Sequence, residues 1–369
     1  IGSLDPKQDT IGEYLKPLGY ATAHVGKWHI YGGGPGKHGY DVHDGATTNA
    51  EGNSKDPKDP KLIFSMTRKA IGFMETQAKA GKPFYLQVSH YAEHNAVQCL
   101  PETAAQCLKL KGIRDIESNG LRKRVAERTA MVLDMDRSIG TLRKGLRDLG
   151  IEKETLVWFT SDNGGLPGFK PSTTGGLRDF KSSMYEGGLR VPAIIEWPTG
   201  IPKSRITKHP SGAVDIFPTI AEVVGLPESS MLQPQDGLSL VPLLEKEIGP
   251  RKKPLVFRSR ARMAIIDNDW KLLSMPKGHA RKLELYNLAE DIAESSNLFG
   301  EKPEVSQPLR RKLTEARSSI DASVAGKDYP SIKVNSQPPR IFWTEVDAYK
   351  PYFKDWKNRP EYKSRLRRF

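Results

Sequence analysis

The sequence predicts an α/β fold built on a largely parallel sheet. Over roughly the first 250 residues, short apolar runs suited to buried strands alternate with segments of helical periodicity. Several of those runs lead into a cluster of glycine and polar residues, which is where open α/β sheets place their ligands. After about Pro250 the alternation gives way to short strands in succession, the mark of a smaller α+β subdomain. The 369 residues, 37% hydrophobic and 27% charged, suffice for one large domain and a smaller one. No run approaches the roughly 18 apolar residues that span a bilayer.

The elements follow in order. Asp9 to Leu18 reads as a short helix, capped at Asp9 or Thr10 and stopped by Gly19. Tyr20 to Val25 reads as a strand, followed by a glycine-rich loop through Gly36. Lys61 to Ala80 is a helix stopped by Gly81, and Pro83 to Val88 a buried strand. Met131, Met135, Ile139, Leu142, Leu146 and Leu149 recur at steps of three or four and predict a long helix ending at Gly150. Thr155 to Thr160 and Arg190 to Trp197 read as strands, Val214 to Val224 as a helix. Pro254 to Ile266, Trp270 to Ser274 and Lys282 to Tyr286 are short strands, the first two joined by a turn at Asp267-Asn268-Asp269. Ser306 to Ala322 is the last helix, and from Gly326 the chain turns proline-rich, then basic and aromatic. The expected organisation is a main α/β domain over 1–250, an antiparallel-sheet subdomain over 251–325 and an extension over 326–369.

Four polar clusters sit where a site is expected. Gly26-Lys27-Trp28-His29 follows the first strand, His90 and His94 the second, and Ser161-Asp162-Asn163-Gly164-Gly165 the third; Lys181 to Arg190 precedes a strand. Asp162 and Asn163 offer oxygen ligands, which suit a hard cation such as Ca²⁺ or Mg²⁺. Two lysines and two histidines suit a multiply charged anion, and a histidine can also move protons near neutral pH. Together these residue types read as hydrolysis of a sulfate or phosphate ester. Each cluster alone has a plainer reading, since a loop lysine is ordinarily solvated and Ser-Asp-Asn-Gly-Gly is an ordinary turn. His90-Tyr91-Ala92-Glu93-His94 matches a zinc-protease pattern, but that pattern needs a helix, and here it follows a strand directly.

These segments resemble the type I, arylsulfatase-like sulfatases. Ala21 to His29 is similar to their G-K-W-H segment, and Tyr91 to His94 resembles the segment with a second active-site histidine. Met131 to Gly165 resembles their long helix and metal-binding strand, and Leu177 to Pro192 another family signature. The resemblance covers roughly residues 9 to 320. It implies an alkaline-phosphatase-like fold, with Asp162 and Asn163 as Ca²⁺ ligands. It implies that Lys27 contacts the sulfate and the nucleophile's oxygen, and that His29 acts on the nucleophile's hydroxyl. His94 and Lys181 would bind the sulfate, with His94 placed to protonate the leaving alcohol. The implied substrate is a sulfated small molecule or polysaccharide, with no nucleic acid as partner, and the implied location periplasmic or secreted.

The family's nucleophile is a formylglycine made within C/S-x-P-x-R, upstream of the G-K-W-H segment, as is an aspartate pair that completes the metal site. Neither precedes Lys27 here. Cys99-Leu100-Pro101-Glu102-Thr103 has Thr where Arg is required and lies after Lys27. The resemblance therefore implies an N-terminally truncated sequence that does not turn over by itself. Two other readings remain open. One is a phosphoesterase or phosphonate hydrolase of the same superfold. The other is a non-catalytic polyanion-binding protein, suggested by the net charge of +13 and by residues 340–369, where nine Lys or Arg interleave with eight aromatics including Trp343, Tyr349, Phe353 and Trp356. Oligomeric state is not readable, and Cys99 and Cys107 leave disulfide formation open.

Overall fold

The structure, a computed structural model, describes residues 4, 10–169, 172–277, 280–327, 347–359 and 366. It divides into two compact units, Ile1–Ala316 and Arg317–Phe369. In chain order the elements are α1 (Ile11–Leu15), β1 (Ala21–Gly26), β2 (Val42–His43), α2 (Ile63–Lys79), β3 (Phe84–Ser89), α3 (Pro101–Cys107) and α4 (Lys111–Arg114). Next come α5 (Asn119–Asp148), β4 (Val157–Thr160), α6 (Glu186–Leu189), β5 (Ala193–Glu196), α7 (Ile216–Val223) and α8 (Val241–Glu245). The chain ends with β6 (Leu255–Ser259), β7 (Arg262–Asp267), β8 (Trp270–Lys277), β9 (Ala280–Asn287), α9 (Pro303–Val324) and α10 (Phe353–Trp356).

β1 is the centre of a parallel sheet of order β2-β1-β3, in register Ala21↔Phe84 through Gly26↔Ser89. All six residues of β1 are buried. The crossover is α2, which buries Ile63, Met66, Ala70, Phe73 and Met74 at helical spacing. Phe73 meets Phe84 edge to face, at a ring separation of 5.9 Å, over Ala21 and Ala23. Truncating Phe73 to Ala would cost roughly 3–5 kcal/mol. α2 starts two residues after the expected Lys61 because Lys61 and Leu62 adopt left-handed backbone, with φ of 54° each.

The long helix is present, but its buried stripe is not the expected one. Ala126, Ala130, Met131, Asp134, Ser138, Gly145 and Leu146 are buried, whereas Met135, Ile139, Leu142 and Leu149 are only half-buried. Asp134 faces inward because it accepts the Leu100 amide at 2.8 Å and the Thr103 hydroxyl at 2.7 Å, fastening α3. Gly145 faces α2, with Ile71 and Met74 at 3.5 Å, an ordinary contact distance, from where a Cβ would sit. Much of the contact surface is therefore polar or small residues outside the predicted apolar stripe.

β4 and β5 pair antiparallel, Val157↔Glu196 to Thr160↔Ala193, apart from the β1 ladder among the described residues, so the largely parallel expectation holds for β1, β2 and β3. Arg190 to Trp197 is shorter as a strand than expected, since β5 begins only at Ala193. β6 to β9 form a four-stranded antiparallel meander. Pro254 to Ile266, read as one strand, is two: Arg260, at φ 55°, turns the chain between β6 and β7. That turn contains no glycine, so nothing in the sequence marked it. Met184, Leu255, Ala264, Ile266, Leu273, Tyr286 and Leu288 form the core beneath the meander. In the second unit, Tyr352 and Trp356 stack on each other at 5.4 Å. Asp9 and Trp343 lie outside the described residues.

Candidate active site

Parallel pairing decides where the site lies. Because Gly26 pairs with Ser89, the chain leaves β1 and β3 at the same edge, and the Lys27 amide donates to the Ser89 carbonyl at 2.9 Å. Gly26 has φ 97°, and a Cβ there would lie 2.3 Å from the Ser89 oxygen, so only glycine permits this exit. The next turn is held by Thr47. Its hydroxyl donates to the Gly26 carbonyl at 2.7 Å and accepts the Trp28 amide at 2.9 Å, while its carbonyl accepts the His29 amide at 2.7 Å. His29 itself is left-handed, φ 55°, a strained state for a non-glycine residue.

The predicted side chains converge. Lys27 lies within electrostatic range of Asp162 and Lys181, and His29 within range of Lys27, His94 and Lys181. Burial pushes the Lys27 ammonium below its ordinary pKa, Asp162 opposing this and Lys181 adding to it. Burial also lowers the pKa of His29, reinforced by Lys27, His94 and Lys181, which favours the neutral imidazole. Asn163 follows Asp162 and donates its amide to the Asp162 carboxylate at 2.9 Å.

The third and fourth clusters are joined backbone to backbone. Gly164 donates to the Gly188 carbonyl at 3.1 Å, and Lys181 to the Gly165 carbonyl at 2.8 Å. A Cβ on Gly164 would stand 2.0 Å from the Gly187 oxygen, which is why the glycines of both segments are needed.

Two residues went unnoticed in the sequence. Asn49 places its Nδ2 3.5 Å from His94 Nε2, and its own Oδ1 is buried without a partner. His94 Nδ1 lies 2.9 Å from the Asn95 carbonyl, a contact that requires a proton on Nδ1 and leaves Nε2 as the working edge. Arg128 on α5 pairs with Glu93 at 2.7 Å, next to His94, and lies 4.3 Å over the Phe169 ring. Neither carries a motif; only the fold brings them in. His90, by contrast, has both ring nitrogens buried and unpartnered, and burial lowers its pKa to about 4. Residues 90–94 form turns rather than a helix, so the zinc-protease geometry is not formed.

A metal fits this chain only in part. Asp162 and Asn163 supply oxygens of the right chemistry, but Ca²⁺ takes six to eight. Among the described residues no group of three His, Cys, Asp or Glu is close enough to complete a cage. The C/S-x-P-x-R pattern occurs twice with serine, both far downstream of Lys27. Ser306 to Arg310 lies within α9, and Ser336 to Arg340 lies outside the described residues.

A family model described as Sulfatase matches residues 2–226, more than half of the chain. The chain belongs to the sulfatase family. A second model, N-sulphoglucosamine sulphohydrolase, C-terminal, matches residues 176–319. Among similar sulfatases, one from Formosa agariphila is 29% identical over 310 residues, covering 77% of this chain and 54% of that protein. N-acetylgalactosamine-6-sulfatase of Mus musculus is 29% identical over 306 residues, covering 73% of this chain and 55% of that protein. The chain thus spans about half the length of these relatives. Among solved structures, Ps i-CgsB in complex with k-i-k-neocarrahexaose aligns with TM-score 0.67 at 23% identity, over 99% of this chain and 82% of that one. BT4656 in complex with its substrate D-glucosamine-2-N,6-O-disulfate aligns with TM-score 0.60 at 20% identity, over 86% and 83%. The sulfatase fold here is therefore the alkaline-phosphatase-like one, with its separate antiparallel subdomain.

Proposed function

We propose that this chain supplies the anion-binding and proton-transfer groups of a sulfate ester hydrolase acting on a sulfated carbohydrate. The observation that carries this is the convergence of Lys27, Lys181, His29 and His94. Two ammonium groups neutralise the three-oxygen face of a sulfate ester, and partial burial makes each worth more than in water. His29, with its neutral form favoured, is suited to accept a proton. His94 is oriented by its Nδ1–H bond to the Asn95 carbonyl; protonated at Nε2 as well, it would hand that proton to the departing alcohol oxygen. Asp162 and Asn163 are proposed as the part of a calcium site that this chain contributes, and a bound cation would stabilise charge on the sulfate oxygens. The residues present complete neither that site nor a formylglycine nucleophile, so no step is derived through either.

The carbohydrate reading is supported by relatives named for N-acetylgalactosamine 6-sulfate and by a related fold holding a glucosamine disulfate. We retain residues 1–250 as the catalytic portion, 251–325 as the subdomain and 326–369 as an extension, and a periplasmic or secreted location. Among the described residues no helix is long and apolar enough to cross a membrane.

The test is a substrate panel on the protein expressed from the full reading frame. It sets 4-nitrophenyl sulfate and a 6-sulfated amino sugar against 4-nitrophenyl phosphate. Sulfate release at least a hundredfold faster than phosphate release is expected. The reverse preference would move the assignment to a phosphoesterase. Retention on heparin without any turnover would favour the polyanion-binding reading.

A further inference from the structure

The segment that carries Lys181 is not self-supporting. Asp179 and Ser182 on either side of it are left-handed, with φ of 64° and 75°, a conformation that persists only where surroundings impose it. α6, which follows, is a single turn of four residues. Besides its bonds to Gly165 and within itself, the segment is held by the meander and the loop that follows it, about 85 to 116 positions later in the chain.

Three buried charges form the main anchor. Lys271 on β8 is fully buried, and its Nζ lies 2.8 Å from Glu186 Oε1 and 2.8 Å from Glu294 Oε1. Glu294 Oε2 accepts the Glu186 amide at 2.6 Å, and Arg190 Nε reaches the other Glu186 oxygen at 2.6 Å. Two carboxylates and two cations balance in charge. Although burial pushes Glu186 up, Lys271 and then Arg190 hold its carboxyl below the usual range, whereas burial raises Glu294. A second anchor lies on the near side of Lys181. Arg178 donates to the Tyr286 hydroxyl at 3.0 Å and the Glu294 carbonyl at 2.7 Å, and its guanidinium lies 3.8 Å over the Tyr185 ring. Both Tyr185 and Tyr286 donate to Glu284 at 2.7 Å. Lys181 thus sits on a short arch whose two feet, Arg178 and Glu186, are bonded to the meander and to the loop that follows it.

A buried pair of this kind is weak evidence for stability, because desolvation offsets attraction. Its better use is to fix a geometry. We propose that Lys271 is a positioning residue of the candidate active site, setting through Glu186 and Glu294 the place of Lys181. The antiparallel subdomain is then a support for the anion-binding arch rather than a binding module of its own. This rests on the reading of Lys181 as an anion ligand.

The experiment compares the native chain with Lys271→Met, Lys271→Arg, Tyr286→Phe and Lys181→Ala. Inorganic sulfate affinity is read by calorimetry, and amide exchange by mass spectrometry over peptides 177–190 and 262–277. The expected result for Lys271→Met is at least tenfold faster exchange in 177–190, little change in 262–277 and at least tenfold weaker sulfate binding, with partial recovery in Lys271→Arg. Tyr286→Phe removes one hydroxyl from the second anchor, so it tests the arch even if Lys271→Met does not fold; a few-fold loss of sulfate affinity is expected. Unchanged exchange in 177–190, or faster exchange with unchanged sulfate affinity, in the folded variants overturns the positioning role. Sulfate binding that is undetectable in the native chain, or unaltered by Lys181→Ala, overturns instead the reading of Lys181.

Discussion

Lys181 donates its amide to the carbonyl of Gly165 at 2.8 Å, so the lysine proposed to bind the anion and the Asp162 loop are joined backbone to backbone. Neither can shift without the other. Gly187 lies at this junction, with the Asp179 and Arg178 carbonyls 2.2 and 2.5 Å from where its Cβ would be. These are backbone atoms and cannot swing aside. Gly187→Ala is expected to destabilise by roughly 1–3 kcal/mol through overpacking. It should also weaken inorganic sulfate binding in the fraction that folds. An unchanged urea midpoint would show that the two segments part easily.

Acid should loosen the fold around β1. His24 is buried, and burial lowers its pKa to about 4, with Asp44 opposing. The unfolded chain takes up this proton near pH 6.5 and the folded chain only near 4. Stability is therefore full above about 6.5 and falls as pH drops toward 4, by on the order of 3 kcal/mol. His90 adds a loss of the same sign. His24→Phe keeps the edge contacts with Trp28 and Tyr40 and removes one titration. Urea midpoints from pH 7 to 4.5 should fall about half as steeply in that variant; parallel curves would assign the acid response to other groups.

Arg251 and Asp215 form a fully buried pair, with both terminal guanidinium nitrogens bonded to the carboxylate at 2.8 and 2.9 Å. Asp215 also accepts the Gly212 and Leu238 amides at 2.8 Å each. Arg251→Met leaves that carboxylate buried without its cation, so a loss of about 3–5 kcal/mol is expected. Calorimetric melting of the variant checks it, and a loss below about 1 kcal/mol would mean that the two amides suffice.

Cys99 and Cys107 are free thiols in the structure. Burial, with Asp134 adding, pushes the Cys99 thiol up to about 11. The thiolate is the reactive form, so at pH 8 iodoacetamide should label Cys99 at least tenfold more slowly than a model thiol. Mass spectrometry of the alkylated peptide measures this. Rapid labelling at native pH would place Cys99 in an open environment.

How much was legible depended on where the information is local. β1, α2, β3 and α5 follow from runs and periods that any neighbouring core would satisfy. The site motifs were legible because Gly26-Lys27 and Asp162-Asn163-Gly164 combine backbone geometry with chemistry in a few consecutive residues. The inward face of α5 was not legible, because Asp134 and Ser138 are buried only through partners on α3 and α2. Asn49 was equally silent, its role arising from a loop that folds back 45 positions to reach His94. Lys271 sits in a strand whose alternation says nothing of Glu186 or Glu294; three charges that look solvated one at a time are dry only together.

The anchoring of the Lys181 arch by Glu294 also fixes an order of events. A chain emerging from the ribosome presents Lys27, His94 and Asp162 long before the meander exists. Until residue 294 has cleared the exit tunnel, the arch has its bonds to Gly165 and within itself but neither of its bonds to Glu294. A nascent chain stopped short of that point can build the β1 edge, yet the segment carrying Lys181 lacks both of its Glu294 bonds. The arch around Lys181 is therefore the part of the proposed site that waits for residues translated more than a hundred positions after it.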